Sequence, residues 1–145
     1  MMNPHARLLA QSGVALFALS LVNGFLVHLL PLREPLLEAH LIGLLGSLFL
    51  FSFAGLWSHL AQTDTQSKIG VFLVIYGFGM GWFVNFVAAI SGIFGIFPIS
   101  VSATRDHSSG DILISIGLLS VVLALFASCV VLYHGLRNRT HTALA

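Results

Sequence analysis

The chain has 145 residues, of which 57% are hydrophobic and 8% are charged, and its formal net charge is +1. Soluble domains carry about 25% charged residues, and a core of this size cannot hide so much apolar surface from water. This composition excludes an ordinary soluble domain, and the small net charge excludes the basic surface of a nucleic-acid-binding protein. The length allows one domain, which we take as residues 1–145.

Four apolar stretches without lysine, arginine or aspartate follow one another along the chain. They cover residues 8–30, 36–60, 69–97 and 112–136. About 20 residues in a helix cross the hydrocarbon of a bilayer, and lipid requires each backbone polar group to be satisfied within the span. The sequence therefore predicts an all-α fold, an integral membrane four-helix bundle.

Short polar connections at 31–35, 61–68 and 98–111 separate these stretches. Short connections make consecutive helices antiparallel neighbours. Basic residues then fall on one side at Arg7, Lys68, Arg137 and Arg139, and on the other at Arg33 and Arg105. Because cytoplasmic loops carry the excess of basic residues, both termini are expected in the cytoplasm. The expected location is a bacterial inner membrane.

Polar residues within the spans gather at one predicted depth. Asn23, His40, Asn85 and Ser120 fall within about 6 to 12 Å of the non-cytoplasmic end. Polar groups inside a membrane are costly and usually face a helix bundle or a cavity. Asn85 is either a hydrogen-bonding residue between packed helices or part of a site. Tyr76, nearer the cytoplasmic end, is either an interface anchor or part of the same site.

His40 is followed on its helical face by the small residues Gly43 and Ser47. A flat ligand bound through a histidine needs small residues one turn away, and histidine is a common axial ligand of haem. A histidine near the membrane surface with a water or backbone partner explains the same pattern, so both interpretations stay open.

Three segments resemble a known family. They are residues 37–50, with the sequence LEAHLIGLLGSLFL; Tyr76-Gly77 followed by Trp82 and Ala88-Ala89; and the closing LYHGLR of residues 132–137. These segments resemble the hydroxylaminobenzene mutases, whose superfamily includes styrene oxide isomerase. Three positions depart from the family pattern: Gly46 and Gly81 stand near positions where relatives carry asparagine, and Val84 stands near a tyrosine of the epoxide isomerase.

The resemblance implies a membrane isomerase that rearranges a small aromatic substrate, an arylhydroxylamine to an aminophenol. It also implies a homotrimer with haem b, whose iron is a Lewis acid and whose histidine ligand matches His40. Gly43 and Ser47 would then border the cofactor, and Asn85, Tyr76 and Asn23 would orient the substrate, which enters from the lipid.

Three alternatives remain. The first is an isomerase that converts an aryl epoxide to an aldehyde. The second is a non-catalytic membrane protein, although the spans hold no acidic pair for ion coupling. The third is a haem electron carrier, for which His28 is the candidate second axial ligand.

Overall fold

The computed structural model describes residues 3–27, 33–91 and 109–142, and every element in these ranges is helical. Four α-helices follow in chain order: α1 (Pro4–Leu26), α2 (Arg33–Leu56), α3 (Asp64–Ser91) and α4 (Ser109–Thr142). A 3₁₀ turn, Trp57–His59, continues directly from α2. The expectation of four helices in an all-α chain is confirmed.

The first helix begins four residues before the predicted start at residue 8. Asn3 caps it, because the Asn3 side chain accepts a hydrogen bond from the backbone N–H of His5 at 2.9 Å. Pro4 occupies the first helical position, where a missing N–H costs nothing. The predicted end at 28–30 lies outside the described residues.

The third helix begins at Asp64, so the predicted connection at 61–68 was too long. Thr63 and Gln66 form a capping box: the Gln66 side-chain oxygen accepts from the Thr63 N–H at 3.0 Å, and the Thr63 hydroxyl accepts from the Gln66 N–H at 3.3 Å. Asp64 in this first turn forms an ion pair with Lys68 at 2.6 Å. These polar residues begin a helix rather than a loop because their side chains satisfy its first N–H groups.

The fourth helix is longer than the predicted 112–136 at both ends. Ser109, Gly110 and Asp111 were assigned to the preceding connection but form the first turn of α4, where the negative charge of Asp111 suits the helix dipole. The predicted end of the third span at 92–97 and most of its connection to α4 lie outside the described residues.

Glycines allow close packing in three pairs of helices. A Cβ on Gly13 of α1 would lie 3.0 Å from Phe51 of α2, and a Cβ on Gly46 would lie 2.9 Å from Phe78 of α3. A Cβ on Gly77 of α3 would lie 2.7 Å from Cγ of Leu125 in α4. Close approach at small residues is the usual basis of helix association in lipid. The main contacts in the molecule are those of α1 with α2, α2 with α3 and α3 with α4.

One end of the molecule is joined by contacts between distant parts of the chain. The rings of His5 and Trp57 lie with their centroids 6.1 Å apart and are tilted by 48°, and His5 Nε2 lies 3.8 Å from Asp64. The backbone N–H of Ala61 donates to the carbonyl oxygen of Gly135 at 3.0 Å. These contacts bring the start of α1, the end of α2, the start of α3 and the last turns of α4 to the same end.

All four helices contain a segment long and apolar enough to cross a membrane, with spans of 23 to 29 residues. Large apolar side chains project away from the packed faces, and Phe25, Leu113 and Phe126 are about 70% exposed. Such surfaces are unfavourable in water and favourable in lipid. The chain is therefore compatible with an integral membrane protein.

Candidate functional site

His40 lies in the second turn of α2 and faces α1. Its Nδ1 lies 2.7 Å from the backbone carbonyl oxygen of Ser20, and the Ser20 hydroxyl donates in return to the His40 carbonyl oxygen. The imidazole lies against Gly24, where an added Cβ would be 2.6 Å from its Cε1. A serine and a glycine one turn apart on α1 thus fix the position of the ring.

This geometry selects one tautomer of the imidazole. A carbonyl oxygen only accepts, so Nδ1 carries the proton and donates it to Ser20. The other nitrogen, Nε2, then presents a lone pair, and no described residue forms a hydrogen bond with it. Histidines that bind metals typically donate their second N–H to a backbone carbonyl or carboxylate in this way. The chemistry of His40 therefore fits an axial ligand.

Gly43 and Ser47, predicted to border a flat cofactor, are packed against other groups. A Cβ on Gly43 would lie 2.8 Å from Ser20 Cβ and 3.0 Å from Trp82 Cδ1. Ser47 is fully buried and donates to the carbonyl oxygen of Leu44 in its own helix at 2.7 Å. The space beside Gly43 is filled because this glycine lets α1 and α3 approach α2, which the periodicity of α2 alone did not reveal.

Two buried hydrogen-bond donors near this junction lack a partner within the described part of the chain. They are the side-chain amide nitrogen of Asn23 and the indole nitrogen of Trp82. Asn23 is 1% exposed and lies one turn beyond Ser20 on the buried face of α1. Trp82 approaches the same junction from α3 and stacks on Phe86 at 5.2 Å. A buried donor without a partner costs free energy, which makes both residues candidates for binding a ligand.

Asn85 is buried on a different face of the molecule from His40. Its side-chain amide donates to the Gly81 carbonyl oxygen of the same helix at 2.9 Å. It lines an apolar groove of about 340 Å³ between α2, α3 and α4, which Ile42 also borders. Ile42 and His40 are two residues apart on α2 and project from different sides of it. Within one chain, Asn85 and His40 therefore do not face a common ligand.

Tyr76 lies about half a turn out of phase with Asn85, since nine residues separate them on α3. Its hydroxyl lies 2.9 Å from the Ser120 hydroxyl on α4. Val84, the neighbour of Asn85, meets Gly117 of α4, so Ser120 lies about one turn further along α4 than the level of Asn85. The structure therefore places Tyr76 and Ser120 together, apart from both His40 and Asn85.

The described ranges contain no group of three or more histidine, cysteine, aspartate or glutamate side chains placed to hold a metal ion. A metal held only by protein ligands needs such a group, whereas a porphyrin-bound iron needs one or two protein ligands. The arrangement around His40 is compatible with the second case.

Sequence reasoning missed the roles of Ser20 and Trp82. Trp82 entered the sequence analysis only as part of the family resemblance, although its ring reaches the Ser20–Gly43 contact. Ser20 carried one signal, because it precedes Asn23 by three residues and places two polar groups on one face of an apolar helix.

The fold and the His40 site together define a small helical protein suited to a membrane, with one imidazole nitrogen free to bind a ligand. A family model described as styrene oxide isomerase matches residues 5–137. Hydroxylaminobenzene mutase HabB of Ectopseudomonas oleovorans is 30% identical over 136 residues, which cover 93% of this chain and 83% of the relative. Hydroxylaminobenzene mutase HabA of the same organism is 29% identical over 126 residues, covering 86% of this chain and 93% of the relative. No solved structure matches.

The chain therefore belongs to the styrene oxide isomerase family. The family is named for an isomerase and both relatives are named mutases, so this chain is an intramolecular isomerase by class. The family membership predicted from residues 37–50 and from the later motifs is confirmed, and the non-catalytic alternative is not supported.

Proposed function

We propose that this protein rearranges an arylhydroxylamine to an aminophenol at the junction of α1, α2 and α3. The names of the two relatives, both hydroxylaminobenzene mutases, support this substrate class. Substrate and product are isomers, so the reaction needs no net oxidant or reductant. The observation that carries the proposal is the His40 ring, held through Nδ1 by Ser20 with Nε2 left free.

Haem b is the proposed cofactor, and His40 would hold it through Nε2. When bound, it would supply a Lewis acid that polarises the N–O bond of the substrate. The residues that support this assignment are Ser20, which sets the tautomer, and Gly24, which leaves room for the ring. A carbonyl accepting from Nδ1 also makes Nε2 a better electron donor.

The two free donors of Asn23 and Trp82 are proposed to position the substrate. Both are N–H groups, so each suits the oxygen or the nitrogen lone pair of a hydroxylamine. Their apolar neighbours would keep water from the cationic arene that forms as the N–O bond weakens. Asn85 is a further proposed contact for the substrate, and because it faces another groove, it could reach a ligand at His40 only from a second copy of the chain.

The proposed setting is a bacterial inner membrane, with antiparallel helices, both termini in the cytoplasm and three copies in a homotrimer. Two features support it. The end that unites the start of α1 with the last turns of α4 also carries Arg7, Lys68 and Arg137, as the positive-inside rule requires. In addition, α4 packs mainly on α3 and leaves an open groove beside α2.

The test combines a spectrum with an assay. We expect detergent-purified protein supplied with haem to show a Soret band and to convert hydroxylaminobenzene to an aminophenol, measured by chromatography. His40→Ala should lose both, whereas His134→Ala, an exposed histidine at the other end of the molecule, should keep both. Absence of a Soret band on the protein after unbound haem has been removed would refute the cofactor assignment, and full activity of His40→Ala would refute the ligand assignment.

A second candidate reaction is the isomerisation of an aryl epoxide to an aldehyde, which the description of the family model favours. The same site would serve it, because a strained C–O bond beside an arene also weakens when its oxygen is polarised. Parallel assays with hydroxylaminobenzene and styrene oxide decide between them. The electron-carrier alternative relied on His28, which lies outside the described residues, and a low-spin spectrum that His28→Ala abolishes would favour it.

A further inference from the structure

A second groove, distinct from the one beside Asn85, lies between α3 and α4 and away from His40. It has a volume of about 410 Å³ and is lined almost entirely by apolar side chains, among them Met80, Phe83, Val87 and Leu113. Tyr76 and Ser120 stand at one end of it. Small-molecule sites are typically apolar clefts of this size with few polar groups, and these groups fix the orientation of the ligand.

The hydrogen bonds of the polar pair determine which ligand it suits. The Ser120 hydroxyl proton is used on the Gly117 carbonyl oxygen at 2.7 Å, so Ser120 can only accept from Tyr76. The Tyr76 proton is therefore used on Ser120. What remains free on Tyr76 is the lone pair of its phenolic oxygen, which accepts a hydrogen bond and cannot donate one.

We infer that this groove binds a small aromatic molecule carrying an O–H or N–H donor, with the donor on the Tyr76 oxygen and the ring between Met80 and Phe83. Phenols, anilines and arylhydroxylamines share this chemistry. The inference rests on the proposed function in one respect: its substrate and product both belong to this class. The groove would then hold substrate or product within the membrane before or after reaction at His40.

Two contacts hold α3 and α4 together around the groove. Gly117 of α4 packs beside Val84 of α3, where a Cβ would lie 3.0 Å from Cγ2 of Val84. This contact brings the helices together on one side of the groove, and the Tyr76–Ser120 bond joins them at its end. Phe83 and Leu113 remain largely exposed at the rim, so the groove opens towards lipid, where small aromatic molecules concentrate.

Fluorine NMR of the protein in nanodiscs tests the inference with 4-fluorophenol and 4-fluorotoluene, which differ in the donor. The free energy of one hydrogen bond predicts that 4-fluorophenol binds about three- to tenfold more tightly than 4-fluorotoluene, with empty nanodiscs as the baseline for each probe. Tyr76→Phe should remove this preference and leave 4-fluorotoluene binding unchanged. Tyr133→Phe, an exposed tyrosine at the far end of α4, is the matched control and should keep it. An undiminished preference in Tyr76→Phe would overturn the inference.

Two more variants separate specific binding from simple filling by lipid. Ser120→Ala frees the Tyr76 proton and should raise the affinity for 4-fluoroacetophenone, a ligand that only accepts, by about threefold. Val87→Phe should block both original probes, whereas Leu123→Phe, on the exposed face of α4, should not. Equal binding of all probes in every variant would identify a lipid-filled groove or a contact between copies, and would refute the inference.

The outcome is independent of catalysis because the NMR measurement needs no turnover. His40→Ala should bind 4-fluorophenol as the unchanged protein does. If the preference for phenol persists in a protein without isomerase activity, the proposed function fails and the groove assignment stands. If activity is present without any preference, only the groove assignment fails.

Discussion

His40 Nδ1 donates a hydrogen bond to the backbone carbonyl oxygen of Ser20 across the contact between α1 and α2. Because the acceptor belongs to the backbone, Ser20→Ala would keep this bond, and no common substitution at position 20 removes it. The position of the imidazole depends instead on the space that Gly24 leaves beside it.

Gly24→Ala should displace the imidazole of His40, since its Cβ would lie 2.6 Å from Cε1. We expect haem affinity and isomerase activity to fall at least tenfold, because ligand positions must be held within a fraction of an ångström. The measurements are haem titration by absorbance and a rate assay. Gly79→Ala is the matched control, since nothing lies within 4 Å of its Cβ position. Equal effects of the two substitutions would contradict the prediction.

Asn23→Leu should stabilise the protein while impairing it. The amide nitrogen of Asn23 is buried without a partner, and such a donor costs about 1–3 kcal/mol. Replacement by an apolar side chain of similar size should therefore raise the free energy of unfolding, measured by denaturation in mixed micelles, and lower the isomerase rate. Ser47→Ala, which removes a buried hydroxyl bonded within its own helix, should change the rate little. A less stable Asn23→Leu protein would show that the amide is satisfied.

Gly77→Ala should loosen the contact between α3 and α4. Its Cβ would lie 2.7 Å from Cγ of Leu125, and overpacking of this kind costs about 1–3 kcal/mol. The variant should unfold at lower denaturant concentration, and the double variant Gly77→Ala with Leu125→Ala should recover part of the loss. If the two losses simply add, the contact does not have the geometry described.

Thr63→Ala should weaken the start of α3 by about 0.5–2 kcal/mol, because it removes one half of the capping box. Thr65→Ala, exposed in the same turn, is the control. Hydrogen exchange at the backbone N–H of Gln66 reports the effect locally: it should accelerate in Thr63→Ala and stay unchanged in Thr65→Ala.

The four helices could be predicted because apolar runs of membrane length have few other structures available. Their starts could not be placed from hydropathy, since Asn3 and Thr63 are polar and begin helices by capping them. The T-x-x-Q pattern of Thr63–Gln66 was the signal that would have corrected the start of α3.

The site was predictable in parts. The position of His40 in an apolar helix marked it as a candidate. Of its two interpretations, the backbone partner describes Nδ1, and the axial ligand is still available to Nε2. The family resemblance grouped Tyr76 with Asn85, although their spacing of nine residues on one helix places them on opposite faces. The contacts of Ser20 and Trp82 with Gly43 depend on the rotation of three helices about their axes, which a single sequence does not determine.

The turn between α2 and α3 sets an order for assembly. Ala61 donates its N–H to Gly135, and Gln62 donates its side-chain amide to the Val131 carbonyl oxygen at 3.2 Å. Both acceptors are synthesised about 70 residues after their donors. During biogenesis the two donors of this turn are therefore bonded to water until the last helix has been inserted. The contacts between this turn and α4 therefore form only after residues 131–135 have been synthesised.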